Sequence, residues 1–394
     1  MKEHWNDGMD YGFSLIRVMM RIVGVWPLQQ NDLVCTFRWF FIFIAQSFTV
    51  TGLLVDFFKN CGDIKDSLEF LLIVDACFHG WTNIILARVY MKRITINVNC
   101  AIDDWSSSTE ERSYVTMIKY ARLGRIITIF HVIIGLLATL SYFPSIFFGN
   151  QQQVVTIGND TTTLWNFVIP ASCLFKGISY STYKAVFVMQ LLQAFILYVA
   201  ECGNDNFFFA ITMHLCGQLE LLRIRFVKVE RKIADRNHYR NFLRLWIKRH
   251  NKLITLAKNI EDSFNITLLI RLSISTIVIA ISGMRTLVSF KHRNYGDIVK
   301  TMSFIQFALM QSVMFTHAGD VLQSQSDSIV SAIYNSAWHE FSSSAIKDLI
   351  FIIMRTNIPL QLSAGKFFYI TRSTITDILK TALTYISFLQ AMAE

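Results

Sequence analysis

Residues 126–148 read IITIFHVIIGLLATLSYFPSIFF, an apolar run without Asp, Glu, Lys or Arg that begins directly after Arg122 and Arg125. As α-helix, about 20 such residues cross a hydrocarbon layer of roughly 30 Å. Helix also pairs every backbone N–H and C=O within the segment, which lipid demands. This stretch therefore reads as a membrane-spanning helix, and the rest of the chain repeats its pattern.

Further apolar runs lie at 37–58, 68–90, from about 185 past 200, at 264–290 and from about 298 to 322. A last run, 375–392, carries Asp377 and Lys380. The count is seven crossings, and the fold class is an all-α polytopic membrane protein. Composition agrees: of 394 residues 53% are hydrophobic and only 16% charged, against roughly 25% charged in a soluble domain. Four Pro and 17 Gly exclude collagen-like repeats, disorder and turn-rich β architectures.

The net charge of +9 is concentrated in loops. Twelve basic residues fall between Arg223 and Lys258, as expected of a cytosolic loop under the positive-inside rule. Around the seven spans, one set of flanks carries 25 Lys and Arg and the alternate set six. The N-terminus is expected in the cytosol and, with an odd count, the C-terminus outside. Asn159-Asp160-Thr161, a glycosylation acceptor triplet at Asn159, falls in a loop expected outside. Cys61 and Cys173 fall in outside loops and are a possible pair. A G-protein-coupled receptor has the opposite orientation, and the Asp-Arg-Tyr and Asn-Pro-x-x-Tyr signatures of that class are absent. Polar residues 2–10 do not form a cleavable signal peptide.

The seven cysteines form no CxxC pair and stand at no metal spacing to His, so no cofactor is expected. No nucleophile stands at plausible spacing from a base, and His339-Glu340 lacks the second His of a zinc hydrolase; an enzyme is not expected. A secondary transporter would carry an internal repeat and spans broken near the bilayer centre, and neither is visible.

Six segments, in order, resemble one family. They are Gly24-Val25-Trp26-Pro27; Asp205, Phe208, His214, Gln218 and Leu222; His250, Leu253, Asp262 and Phe264; Gly319, Ser326, Tyr334 and Trp338; Arg355, Pro359 and Ser363 to Phe367; and Thr384-Tyr385. The set resembles the insect odorant receptors. The long cytosolic insertion of the odorant receptor coreceptor is absent, so the chain looks like a ligand-tuning subunit. The resemblance implies an odorant-gated, nonselective cation channel in the plasma membrane of olfactory sensory neurons. Four subunits, this chain with the coreceptor, would surround one pore lined by the last helix and passing monovalent and divalent cations. The rival readings are a gustatory-receptor-type channel of the same architecture and a G-protein-coupled chemosensory receptor.

On this reading residues 1–36 form a cytosolic amphipathic segment lying on the membrane face. Residues 37–322 hold six spans with long cytosolic extensions after spans two and four, 323–371 hold cytosolic anchor helices, and 372–394 form the pore-lining seventh span. Ser373, Asp377, Lys380, Thr381, Thr384 and Ser387 share one face of that last helix at about 100° per residue, with Phe388 at its edge. A polar stripe on a spanning helix faces protein or water; helix packing through Ser and Thr is the alternative use. Carried over from the family, the apolar gate falls on Phe388 and Met392, beside pore positions Asp377, Thr381 and Thr384. The ligand is expected to be small and hydrophobic, because the outer halves of spans two, three, four and six are rich in Phe and Tyr. The candidate contacts are Phe70, Val74, Thr139, Tyr142, Phe143, Phe187, Gln190, Phe304, Phe307 and Gln311. Among charged residues within spans, Arg88 and Arg285 are near enough to span ends to snorkel. Asp75 and Arg271 are deeper and serve either as a polar bundle contact or in gating.

Overall fold

The computed structural model describes residues 7–29, 32–59, 67–108, 110–147, 152–157, 160–165, 167–169, 175, 178–230, 236–336, 338 and 343–393. They form ten α-helices and two short hairpins: α1 (Asp7–Val23), α2 (Leu33–Lys59), α3 (Ser67–Val89), α4 (Met91–Ser106), α5 (Glu111–Phe147), β1 (Gln152–Ile157), β2 (Asp160–Trp165), α6 (Tyr180–Glu230), α7 (Arg236–Lys291), α8 (Tyr295–Tyr334), α9 (Ser343–Thr356), β3 (Ser363–Ala364), β4 (Phe368–Tyr369) and α10 (Arg372–Ala393).

Among the described residues, α2, α3, α5, α6, α7 and α8 are long and apolar enough to cross a membrane. The seventh expected span is α10, whose 22 residues reach about 33 Å; its polar stripe lowers its apolar content. At 51 and 56 residues, α6 and α7 run about 77 and 84 Å. Each therefore extends far beyond a bilayer, which explains why their Arg- and Lys-rich parts separate from their apolar parts in the sequence.

α6 is the hub, packed against α1, α3, α5, α7 and α8. Phe207, Phe208 and Phe209 are consecutive and all buried, as in a helix enclosed on every side. Phe207 meets Phe13, Trp26 and Phe264, and Phe208 meets Phe264 and Phe315. α1 buries Met9, Phe13, Ile16, Met20 and Val23 along one face, at the spacing of an amphipathic helix. Its other face leaves Leu15, Val18 and Ile22 exposed. The segment expected to lie on the membrane thus also forms part of the protein core.

The corner between α1 and α2 explains the Gly-x-Trp-Pro segment. Gly24 has φ +79°, and a Cβ there would stand 2.7 Å from the Cys35 carbonyl oxygen. Only glycine takes that backbone at no steric cost, and the turn delivers the Trp26 ring to Phe207.

Two places depart from helix. β1 and β2 form an antiparallel hairpin in what the sequence suggests is only a polar loop; Val154, Val155 and Thr161 to Thr163 are β-branched and suit a strand. β3 and β4 form a second hairpin inside the region expected to be anchor helices. Gly365 at its tip has φ +58°, donates its N–H to the Asn265 carbonyl (2.8 Å), and would bring a Cβ to 2.5 Å from Leu269. Lys366 beside it also has positive φ and pairs with Asp262 at 3.4 Å. Asn159, Cys61 and Cys173 lie outside the described residues.

Candidate ligand cavity and pore helix

A cavity of about 230 Å³ lies among α3, α5, α6, α7 and α8. A buried apolar cavity of about 150 Å³ is enough to admit benzene, so this one takes a ring with a short substituent. Its walls are mainly apolar, with Leu197, Tyr198, Val278, Phe304, Phe307 and Ala308 among them. The Tyr198 hydroxyl is spent on the Val132 carbonyl at 2.6 Å. His131 stacks on Phe307 with ring centres 5.2 Å apart.

Of the ten expected contacts, Thr139, Phe304, Phe307 and Gln311 line this cavity. Thr139 donates its hydroxyl to the Gly135 carbonyl at 2.8 Å, leaving its methyl group for packing. Phe70, Val74 and Phe187 instead pack on a smaller apolar cluster of Leu53, Cys77, Val168, Ile169 and Leu197, four of which also border the cavity. Gln190 has a different role: its side chain grips the backbone of Ile169, accepting from the N–H at 3.1 Å and donating to the carbonyl at 2.9 Å. It holds a segment of the cavity wall and does not line the cavity itself. The side chains of Tyr142 and Phe143 lie outside the described residues.

The cavity also has polar boundaries. Arg271 hydrogen-bonds Asp205 and stands 3.9 Å from Glu201, while Gln311 donates to the same Asp205 oxygen at 3.3 Å. Arg271 is thus part of a buried ion-pair cluster, and removing one member of such a cluster strands the other. Arg285 binds Asp297 at 3.1 Å and borders the cavity. Arg88 donates to Thr36 at 2.8 Å and lies over the Trp39 ring. Glu201 was not expected; its signal was a carboxylate one helical turn before Asp205, ending a run that is uncharged after Lys184.

α10 is attached by a narrow seam to α7 and α8. Thr374, Ile378 and Ala382 are its buried residues among those described, spaced four apart. Ser373, Asp377, Lys380, Thr381, Thr384 and Ser387 are all exposed, and Phe388 is 61% exposed. Met392 lies on the final turn, its side chain outside the described residues. At its start, α10 is fixed by Arg372 to Asp320 of α8 at 2.6 Å. Nearby, the Ile370 carbonyl passes so close to Gly319 that a Cβ there would meet its oxygen at 2.4 Å.

The far halves of α6 and α7 are locked by Asp104 of α4, which meets His214 at 3.3 Å and Arg249 at 2.7 Å. Burial pushes the Asp104 carboxyl up, but the His214 hydrogen bond and the Arg249 charge outweigh it and hold it below its ordinary range. Ser326 accepts from the Leu360 N–H at 3.1 Å. By contrast Tyr334, Phe351, Met354, Phe367 and Tyr385 are exposed on this single chain.

Comparison with known proteins places this architecture. A family model described as 7tm Odorant receptor matches residues 60–383. Odorant receptor 13a of Drosophila melanogaster is 29% identical over 208 residues, 49% of each chain. The odorant receptor coreceptor of Aedes aegypti is 23% identical over 146 residues, 37% of this chain and 30% of that protein. The matches thus span about half the length of the curated relatives or less. The olfactory receptor OR5 from Machilis hrabei, solved in complex with eugenol, superposes with a TM-score of 0.81 over 98% of this chain and all of that one, at 12% identity. At that identity the likeness is one of fold.

Proposed function

This chain belongs to the odorant receptor family of multi-pass membrane proteins, and from that premise we propose that it is a ligand-tuning subunit of an odorant-gated, nonselective cation channel. A small hydrophobic odorant binds in the cavity among α3, α5, α6, α7 and α8. α10 lines a pore shared by four subunits, this chain together with the coreceptor, and Phe388 and Met392 form its apolar gate. The N-terminus is cytosolic and the C-terminus extracellular.

One observation carries this reading: the polar stripe of α10, from Ser373 to Ser387, is uncovered on a helix long enough to span. Such a stripe is costly against lipid, while water in a pore and neighbouring subunits would both satisfy it. Closing a pore with an apolar ring works by excluding water from a narrow neck, and Phe388 stands free at the edge of the stripe. The exposed apolar residues of α9, Ile350, Phe351 and Met354, form a face that a neighbouring subunit would cover. That supports residues 323–371 as the anchor between subunits.

The test is whole-cell recording in cells expressing this chain with and without the coreceptor, against a panel of small volatiles under G-protein blockade. The expected result is a cation current within milliseconds that needs both chains and survives the blockade. A response abolished by the blockade would favour metabotropic signalling and end this reading.

A further inference from the structure

The cavity wall holds polar atoms that the packing leaves without partners. Asp75 and His79 of α3, one helical turn apart, both line it, as does Ser275 of α7. His79 and Ser275 are each 1% exposed. Among the described residues Asp75 Oδ2, His79 Nδ1 and Ser275 Oγ have no hydrogen-bond partner.

The neighbours of His79 define what it offers. Asn83 Oδ1 accepts from Asn204 Nδ2 at 3.3 Å, which turns the Asn83 amide nitrogen toward His79 Nε2, 2.8 Å away. Nε2 is therefore spent on Asn83, and Nδ1 is the ring atom left for the cavity. The cavity therefore presents a carboxyl oxygen at Asp75, a ring nitrogen at His79 and a hydroxyl at Ser275 able to donate or accept. Asp75 and His79, at positions i and i+4, lie on one face of α3.

Few ligand groups complete this set. A carbonyl or ether only accepts and an ammonium only donates, so each meets these atoms in one protonation pattern alone. A hydroxyl donates through its hydrogen and accepts through its lone pairs at the same atom. We propose that the cavity is built for small apolar ligands bearing a hydroxyl, alcohols or phenols, with Asp75 and His79 as the recognition pair and Ser275 as an auxiliary contact. This rests on the cavity being the ligand site.

Four probes of one shape test it: benzyl alcohol, benzaldehyde, toluene and benzylamine. Binding to the full-length solubilised chain is read by ligand-observed NMR, and current is read separately in cells with the coreceptor. Benzyl alcohol is expected to bind about tenfold or more tighter than benzaldehyde or toluene, the scale of leaving a buried polar group unsatisfied. Asp75→Leu and His79→Phe should each erase that advantage while toluene still binds, which also reports that the variants fold; Ser275→Ala should reduce it only in part. Equal binding of alcohol and aldehyde by the unmodified chain would overturn the proposal and leave resident water as the partner of these atoms. Tightest binding by benzylamine, or an alcohol preference that survives Asp75→Leu, would overturn it as well. Selective binding of the alcohol without current would leave the recognition pair standing and count against the channel reading instead. If none of the four probes bound, the proposal would fall, while the channel reading would still be judged by current.

Discussion

Ile386 of α10 fills the space left by Gly283 of α7: a Cβ built on Gly283 would stand 2.5 Å from Ile386 Cδ1. α7 also supplies Arg271, Ser275 and Val278 to the cavity wall. One helix therefore borders the cavity on one side and α10 on the other. A shift of α7 on ligand binding has a direct steric route to α10, because close-packed interiors transmit displacement.

Gly283→Ala is expected to push α10 outward without touching the cavity. The measurement is resting and odorant-evoked current, normalised to surface expression. Resting leak or maximal current should change severalfold while the rank order of ligands is kept. A reshuffled rank order at unchanged leak would contradict this route.

Phe388→Ala removes an apolar ring from the proposed gate. The expected outcome is higher resting leak or altered ion permeability, again with ligand rank order intact. A change confined to ligand preference would place Phe388 in recognition and remove it from the pore.

Phe304→Ala enlarges the cavity. Hydrophobic pockets discriminate by roughly 1–3 kcal/mol per methylene, so the preferred ligand should grow by one or more carbons, and the smallest agonists should lose about tenfold in potency. Dose–response curves along a homologous series check this.

Asp104→Asn removes the charge that His214 and Arg249 share. The loss is expected to be roughly 1.5–3 kcal/mol at neutral pH, the scale of hydrogen bonds to a charged group, read as a lower melting temperature in detergent. Because the Asp104 carboxyl is held below its ordinary range when folded, its contribution is present above the unfolded value of about 3.9. It is lost as pH falls through the folded value. The difference between the two proteins should therefore close on acidification below about pH 4.

The helical plan was legible because lipid leaves the backbone little choice: each apolar run became a helix, and the charged flanks became the extensions of α6 and α7. Motif residues were legible as positions but not as roles. Trp26 and Phe208 turned out to be core, while Gly365 is a turn that must approach Leu269 closely. The hairpin at residues 152–165 was hidden, since its β-branched residues sit in a short polar stretch. Of the eight expected cavity residues whose side chains are described, four line the cavity. Aromatic content shows that a region is apolar, whereas lining depends on rotation about each helix, set by partners far away in sequence. Gln190 shows the difference most clearly, since no local pattern foretells that its amide holds the Ile169 backbone.

The central claim is that α10 faces water in the assembled channel, and cysteine substitution along it is the most direct test. Single cysteines at Asp377, Thr381 and Thr384, and at Ala382 on the buried seam, would be exposed to a charged thiol reagent during odorant-evoked current. The account predicts irreversible block at the first three positions, faster with odorant present, and no effect at Ala382. Equal insensitivity at all four positions, in channels that still respond to odorant, would contradict it.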